Sequence, residues 1–552
     1  MSSTVPALLQ EARAAGGDRV ALRFHRGDQV DSFTWIELVQ QVERWAAALA
    51  AAGVKQGDCV VHLSENRWEW IVADLALHAV QAVHVPLHST LTGPQLVEQI
   101  NHCHAAFGFV SRPDQARKLA DCSDKLVVDI QFFSYEPCEA AIGRRAVKLL
   151  PAVLENSDIR DGAALLQRAA EGGAPSALAT ILYTSGTTGE PKGVMLTQEN
   201  LVSNAQASIT LFDDQPTDVR LSFLPLSHIF ARTCDLYTWL ISRCELCLAR
   251  ARETVIADCH TFQPHMFNGV PHFFDRVVRG MRDAGLQSAP DALRNLLGGR
   301  IRFCVSGGAA LPDYLFEYFE ERGVPILQGY GLTEAAPVIA ATGTTRWKKG
   351  SVGPAIPGVE IQISDDGEVL ARGPNIMTGY FRNPTATAEA IRDGWLHTGD
   401  LGKLDEEGWL WLTGRKKEIL VTSGGKNIAP VMLEGLLTAD PIISQALVVG
   451  DDRRCLAALL VLDRDRTQRA LGELGQAEAV LDRTSEAVRA LVRERIDQAL
   501  KDVSAHEQVR HFALLEHPFS IESGELTPKL TLRRKVIEQT YAAEITALYA
   551  DQ

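Results

Sequence analysis

Apolar residues in the first third of the chain alternate between two spacings, and the alternation predicts helices interleaved with buried strands. From Trp35 to Ala52 they recur at helical spacing and stop at Gly53. Cys59 to Leu63 is a short apolar run, and Ser64 behind it is a suitable N-cap for a helix carrying Trp68, Ile71, Leu75 and Leu77. Ala82 to Leu87 is the next run. Strand, helix, strand in this order predicts a parallel sheet with helices on its faces. Similar runs at Ala179 to Tyr183, Arg220 to Leu224, Met266 to Val270 and Arg302 to Ser306 extend the pattern into an α/β body.

From about Gly350 the texture changes to short strands broken by Gly, Pro and Asp: Val359 to Ser364, Glu368 to Arg372 and Leu410 to Leu412. They predict a β-rich subdomain over about 350–415. Beyond it come two adjacent strands, Ala446 to Gly450 and Leu456 to Leu462. A helix follows whose Val488, Leu491, Val492, Ile496, Leu500 and Val503 share one face. The charged joint Arg415-Lys-Lys-Glu418 is the natural boundary between an N-terminal domain, 1–415, and an α+β C-terminal domain, 416–552.

Composition narrows the function. A chain of 552 residues exceeds one compact core, and 55 Lys+Arg against 69 Asp+Glu leave a net charge of -14, which opposes attraction to a phosphate backbone. Nucleic acid is not an expected partner. No run of about 18 apolar residues suggests an integral membrane segment, and Glu11 and Arg13 interrupt the start where a signal peptide needs an apolar stretch. A cytoplasmic protein is expected, with peripheral membrane contact left open. Ten cysteines suit a reducing compartment. Cys244, Cys247, Cys259 and His260 have a metal-like spacing, but the flanking Leu246 and Leu248 favour buried thiols.

The richest segment is Tyr183-Thr-Ser-Gly-Thr-Thr-Gly-Glu-Pro-Lys-Gly193, directly after an apolar strand. Its glycines free successive N–H groups, its hydroxyls add donors, and Lys192 adds charge, which together make a polyphosphate cradle. It is not a Walker A loop, because Pro191, five residues after Gly186, stands where that motif needs its second glycine, and no Ser or Thr follows Lys192. Further on, in order, stand Pro225-Leu-Ser-His228, Ser306-Gly-Gly-Ala-Ala310, Gln328-Gly-Tyr-Gly-Leu-Thr-Glu334, Gly367-Glu-Val-Leu-Ala-Arg-Gly-Pro374, Trp395-Leu-His-Thr-Gly-Asp400 and Gly414-Arg-Lys-Lys-Glu418.

In this ordered set the chain resembles the AMP-forming, adenylate-forming superfamily of acyl-CoA synthetases, luciferases and adenylation domains. His228-Ile-Phe-Ala-Arg232-Thr and Ser423-Gly-Gly-Lys-Asn-Ile-Ala-Pro430 look most like the long-chain fatty acid CoA ligases. The resemblance implies a large domain of helix-covered mixed sheets with a mobile C-terminal domain. It also implies two half-reactions: a fatty acid and ATP give acyl-AMP and pyrophosphate, then CoA gives the thioester and AMP. Mg²⁺, ATP and CoA are implied with it. Thr184, Ser185, Gly186, Thr187, Thr188, Gly189 and Lys192 then match the β,γ-phosphate binder, and Glu334, with Thr184, the Mg²⁺ ligands. Thr333 falls near the α-phosphate. Gly307, Gly308 and Ala309 leave space for adenine beside Tyr330, within Gln328, Gly329, Tyr330 and Gly331, and Asp400 with Arg415 meets the ribose hydroxyls. His228 is either structural or, as in the family, beside the acyl carboxylate and thiol. Lys417 matches the domain hinge. Gly424 and Gly425 match the thiol-tunnel turn, and Lys426 either meets a CoA phosphate or is solvated.

The chain departs from its family near the C-terminus. The family's lysine bridges the acyl carboxylate and the α-phosphate. In Leu526-Thr-Pro-Lys529-Leu-Thr531-Leu-Arg533-Arg534, counting from the arginines puts Thr531 at its position, and counting from Ser523-Gly524 puts Glu525 there. A hydroxyl cannot replace the cation, whereas Lys529, two residues away in an extended segment, points the same way. Three readings follow: a full ligase with Lys529 as substitute, an enzyme limited to the thioester half-reaction, and a non-catalytic nucleotide or acyl-CoA binder. Transfer to a carrier protein is a further variant. Ala231 replaces an acidic residue common in fatty acid ligases.

Overall fold

In the computed structural model the chain is described from residue 3 to 550, apart from 156–157, 186–190, 287–288, 290, 425, 477–483, 521 and 527–531. Two eight-stranded sheets organise the larger part. In the first, the order is Val338–Ala341, Ile326–Gly331, Phe303–Ser306, Met266–Gly269, Val219–Ser222, Glu245–Leu248, Val20–Arg26 and Gln29–Thr34. Its interior is parallel and only the two edge strands run antiparallel. The second runs Gly379–Tyr380, Pro191–Thr197, Leu178–Ser185, Val83–Leu87, Cys59–Leu63, Phe107–Val110, Gln131–Ser134 and Lys148–Leu149.

Both sheets are mixed, as the resemblance implies, and the strand, helix, strand segment from Cys59–Leu63 to Val83–Leu87 runs parallel as expected. Leu178–Ser185 and Pro191–Thr197 form an antiparallel hairpin, so the segment expected to cradle a polyphosphate lies between two paired strands. Ser64 is a correction. The helix Trp68–Ala79 starts after Arg67, with no side-chain cap, and the Ser64 hydroxyl donates to the Glu65 carbonyl. The helix Trp35–Ala51 has the capping box that Thr34 and Glu37 build. Cys244, Cys247 and Cys259 are buried in the main core, where their Leu neighbours placed them.

The third sheet is antiparallel, in the order Gly353–Pro354, Trp409–Arg415, Trp395–Leu404, Glu368–Arg372, Glu360–Ile363. The last part of the chain has its own three-stranded sheet, Ile443–Val449, Leu456–Leu462 and Val509–Leu515, with an apolar cluster on each face. The helix Glu486–Ala499 buries Val488, Leu491, Val492 and Ile496 against it. No helix among the described residues is long and apolar enough to cross a membrane.

A buried polar chain ties the two large sheets together. Arg232 opens a π-helical turn, Arg232–Tyr237, and donates to Asp74 and to Thr180 Oγ1 at 2.7 Å. Tyr237 donates to the other oxygen of Asp74 at 3.0 Å, and His84 Nδ1 lies 2.6 Å from Asp74 Oδ1. The chain continues from His84 to His62 at 3.0 Å and to Tyr135 at 2.6 Å, while His78 joins Tyr237 to Gln198. Asp235, in the same turn, accepts from Ser222 at 2.9 Å and Asn268 at 2.6 Å in the first sheet. Such groups are tolerated inside a core because each finds partners.

Candidate active site

The carboxyl ends of parallel strands collect the site residues, the usual place for a ligand in an open α/β sheet. Phe303–Ser306 leads into Gly307, Gly308 and Ala309, and its neighbour Ile326–Gly331 carries Gln328, Gly329, Tyr330 and Gly331. His228 follows Val219–Ser222 and caps the next short helix, its Nδ1 accepting from Phe230 N at 3.2 Å. The His88 ring stacks on it with centroids 6.3 Å apart. A Cβ at Gly307 would lie 2.9 Å from the Phe230 ring, so glycine there lets the His228 segment close on the strand end. At Gly331 a Cβ would lie 1.9 Å from the Pro337 carbonyl oxygen; this close approach folds back the turn that carries Thr333 and Glu334. Thr233, from the π turn, donates to the Ala336 carbonyl at 2.9 Å and fixes the far side of that turn.

Asp400 and Arg415 are cross-strand partners in the third sheet, which explains their meeting. Arg415 Nε donates to Asp400 Oδ1 at 2.8 Å, and Tyr330 OH donates to Oδ2 at 2.8 Å. Asp400 is only 6% exposed. Burial and the adjacent Asp400 carboxylate push the Tyr330 phenol well above its ordinary value, so it stays a donor.

A second cluster joins the hairpin to the Glu334 turn. Thr184 and Lys192 face each other across the hairpin, and the Lys192 ammonium lies 5.0 Å from the centroid of Tyr380. Tyr380 OH donates to Glu334 Oε1 at 2.8 Å, and Met377 N donates to the Glu334 carbonyl at 2.8 Å. Ser185 ends the first strand of the hairpin.

Sequence profiles match the chain over nearly its whole length: that of the AMP-binding enzyme over residues 9–381, and that of the AMP-binding enzyme C-terminal domain over 417–552. The chain belongs to the AMP-binding enzyme family. It is 34% identical over 568 aligned residues to the long-chain-fatty-acid–CoA ligase FadD15 of Mycobacterium bovis, covering 94% of this chain and 92% of that protein. Human long-chain-fatty-acid–CoA ligase ACSBG1 is 26% identical, with 100% and 86% covered. ATP-bound MatB of Rhodopseudomonas palustris shares the fold at a TM-score of 0.78 and 24% identity, over 98% of this chain and 99% of that one. Membership of the adenylate-forming acyl-CoA synthetase superfamily, with relatives of this kind along the chain, makes it a ligase of the carbon–sulfur class.

Not every residue singled out in the sequence joins these clusters. Gly186, Thr187, Thr188, Gly189, Gly425, Lys529 and Thr531 lie outside the described residues. Leu526 and Leu532 pair across an antiparallel bridge on either side of the last two. Lys417 is exposed in the turn after Arg415. Gly424 and Lys426 belong to a turn bonded within the C-terminal part, where Thr422 N donates to the Lys426 carbonyl at 3.0 Å and Ser423 N to the Arg453 carbonyl at 2.9 Å.

The sequence reading missed Tyr380 and Glu368. Glu368 accepts from Gly399 N at 2.9 Å, Lys416 Nζ at 3.1 Å and His397 Nδ1 at 3.3 Å, bracing the turn before Asp400. Burial pushes its carboxyl up, but these donors outweigh it and hold the group below its ordinary value. Its place inside the Gly367 to Pro374 motif was the available signal. Glu368→Gln keeps an acceptor and loses the charge. It is expected to lower kcat/KM for ATP roughly ten-fold with little change in Tm, checked by steady-state kinetics beside thermal unfolding.

Proposed function

We propose that the chain activates a long-chain fatty acid with ATP and passes the acyl group to CoA. The observation that carries this reading is the convergence of Tyr330, Asp400 and Arg415 with the adjoining Lys192, Tyr380 and Glu334 group. One cluster suits a ribose, the other a magnesium-bound polyphosphate. The name of FadD15, alike over nearly the full length, supplies the acyl class.

A carboxylate oxygen of the fatty acid attacks the α-phosphorus, a P–O bond forms, and pyrophosphate leaves with the electrons of the α,β bond. Asp400 accepts from both ribose hydroxyls while Arg415 and Tyr330 hold its carboxylate in place. Lys192 and the hydroxyl-rich hairpin bind the β and γ phosphates, compensating charge where the leaving group forms. Glu334, partly exposed, and Thr184 are hard oxygen donors that fit Mg²⁺, which when bound neutralises phosphate charge. In the second half-reaction the CoA thiolate attacks the acyl carbonyl, a C–S bond forms, and AMP leaves. The C-terminal domain, 416–552, turns about Lys417 between the two steps and brings Gly424, Gly425 and Lys426 to the thiol, with His228 beside the acyl carbonyl.

Thr531 at the position of the family's lysine favours a second reading, an enzyme that performs only the thioester step from a supplied acyl-AMP. The full reading predicts acyl-CoA formation that depends on fatty acid, ATP and CoA together. AMP and acyl-CoA should appear in equal amounts, faster with long-chain than short-chain acids, as measured by chromatography of both products. ADP as the nucleotide product, or no acyl-CoA from any acid, would contradict it.

A further inference from the structure

Lys192 and Glu334 carry opposite charges, lie on neighbouring segments and are both partly exposed, yet no ion pair between them occurs among the described residues. Tyr380 contacts both. Its hydroxyl donates to Glu334 Oε1 at 2.8 Å, and its ring face receives the Lys192 ammonium at 5.0 Å, within cation–π range. The ring itself is only 8% exposed and has little freedom to leave. Its backbone is held twice over: Tyr380 pairs with Val194 in the strand that carries Lys192, and its N–H donates to Thr387 Oγ1 at 2.9 Å. The Glu334 carbonyl accepts from Met377 N, so the segment around Tyr380 also fixes the Glu334 turn.

We propose that Tyr380 is a positioning residue that keeps Lys192 and Glu334 apart, so that both charges remain available to magnesium-bound ATP. A direct lysine–carboxylate pair would satisfy both groups with each other. It would have to be broken before the ammonium met a phosphate and the carboxylate met the cation. A neutral hydroxyl and an aromatic face hold the same groups more weakly, and both are easily exchanged for the ligand. The inference rests on the proposed polyphosphate and Mg²⁺ roles of Lys192 and Glu334.

The test uses the full chain with Tyr380→Leu, which removes hydroxyl and ring, and Tyr380→Phe, which removes the hydroxyl alone. ATP binding is titrated by calorimetry at several Mg²⁺ concentrations without fatty acid, and thioester formation is followed from synthetic acyl-AMP and CoA. Tyr380→Leu is expected to weaken Mg²⁺-dependent ATP binding about ten-fold more than it slows thioester formation, and to raise the Mg²⁺ concentration for half-saturation. Tyr380→Phe falls between it and the unaltered chain. Unchanged ATP affinity and Mg²⁺ dependence in Tyr380→Leu would overturn the proposal. Equal loss in both measurements, which marks general damage, would also overturn it. If Tyr380→Leu does not fold, Tyr380→Phe decides: a raised Mg²⁺ requirement supports the role, and none overturns it. Lys192→Ala and Glu334→Gln in parallel separate the two levels. If both bind ATP as tightly as the unaltered chain, the functional reading itself fails.

Discussion

Asp400→Ala is expected to lower kcat/KM for ATP by about two to three orders of magnitude while leaving the fold intact. The substitution removes the acceptor for Arg415 Nε and for the Tyr330 hydroxyl, and with it the proposed acceptor for two ribose hydroxyls. Charge-assisted hydrogen bonds are worth about 1.5–3 kcal/mol each, and at the lower end of that range the loss of two from the bound nucleotide, about 3–4 kcal/mol, corresponds to roughly a hundred- to thousand-fold. The buried Tyr330 phenol would also lose its carboxylate partner. Asp400→Asn keeps one oxygen acceptor and should lose less. Initial rates over a range of ATP concentrations, with Tm as the control for folding, check both. A change smaller than about ten-fold in Asp400→Ala would remove Asp400 from the nucleotide site.

The second large effect is on stability. His62, His78 and His84 are buried in the polar chain between the sheets. Burial holds His78 at about 3 and His84 at about 4, with Arg232 adding to the depression of His84, and burial holds His62 well below 6.5. All three stay neutral in the fold at pH values where an unfolded histidine takes up a proton. Their contribution is therefore complete above pH 6.5 and declines as pH falls below it. At pH 5 His78 and His84 each cost about 2 kcal/mol, a large part of the stability of a domain, and His62 acts in the same direction. Asp74, facing them, is driven below its ordinary value by Arg232 and the histidines against the effect of burial. It adds to the loss only at still lower pH. Tm should fall steeply between pH 7 and pH 5, and His78→Gln, which keeps hydrogen-bonding atoms but does not titrate, should flatten that slope. An unchanged slope in His78→Gln would mean that His78 titrates normally.

Local signals made much of the fold legible. Glu368–Arg372 and Leu456–Leu462 fall where their apolar runs lie between turn residues, and the buried face of Glu486–Ala499 follows its helical spacing. The antiparallel course of Leu178–Ser185 and Pro191–Thr197 was not legible, because an apolar run reads the same in either direction. The Ser64 cap failed because a serine three residues before the N-cap position bonds its own neighbourhood instead. The residues proposed for the nucleotide were singled out by motif wording. Their partners were not: Tyr380 meets Glu334 across 46 residues and Arg232 meets Asp74 across 158, and no local pattern encodes such pairings. Asp74 and His84 lie within ordinary apolar elements, and only the packing of the two sheets reveals why they are polar.

The most direct measurement of the central claim is fatty-acid-dependent exchange of labelled pyrophosphate into ATP, with Mg²⁺ and without CoA. It isolates acyl-AMP formation, the half-reaction in question if Thr531 takes the position expected for the family's lysine. The account predicts exchange that requires fatty acid and is lost in Lys192→Ala and Asp400→Ala, with Lys529→Ala then testing which cation serves. No exchange with short, medium or long acids, from folded protein that binds ATP, would contradict it.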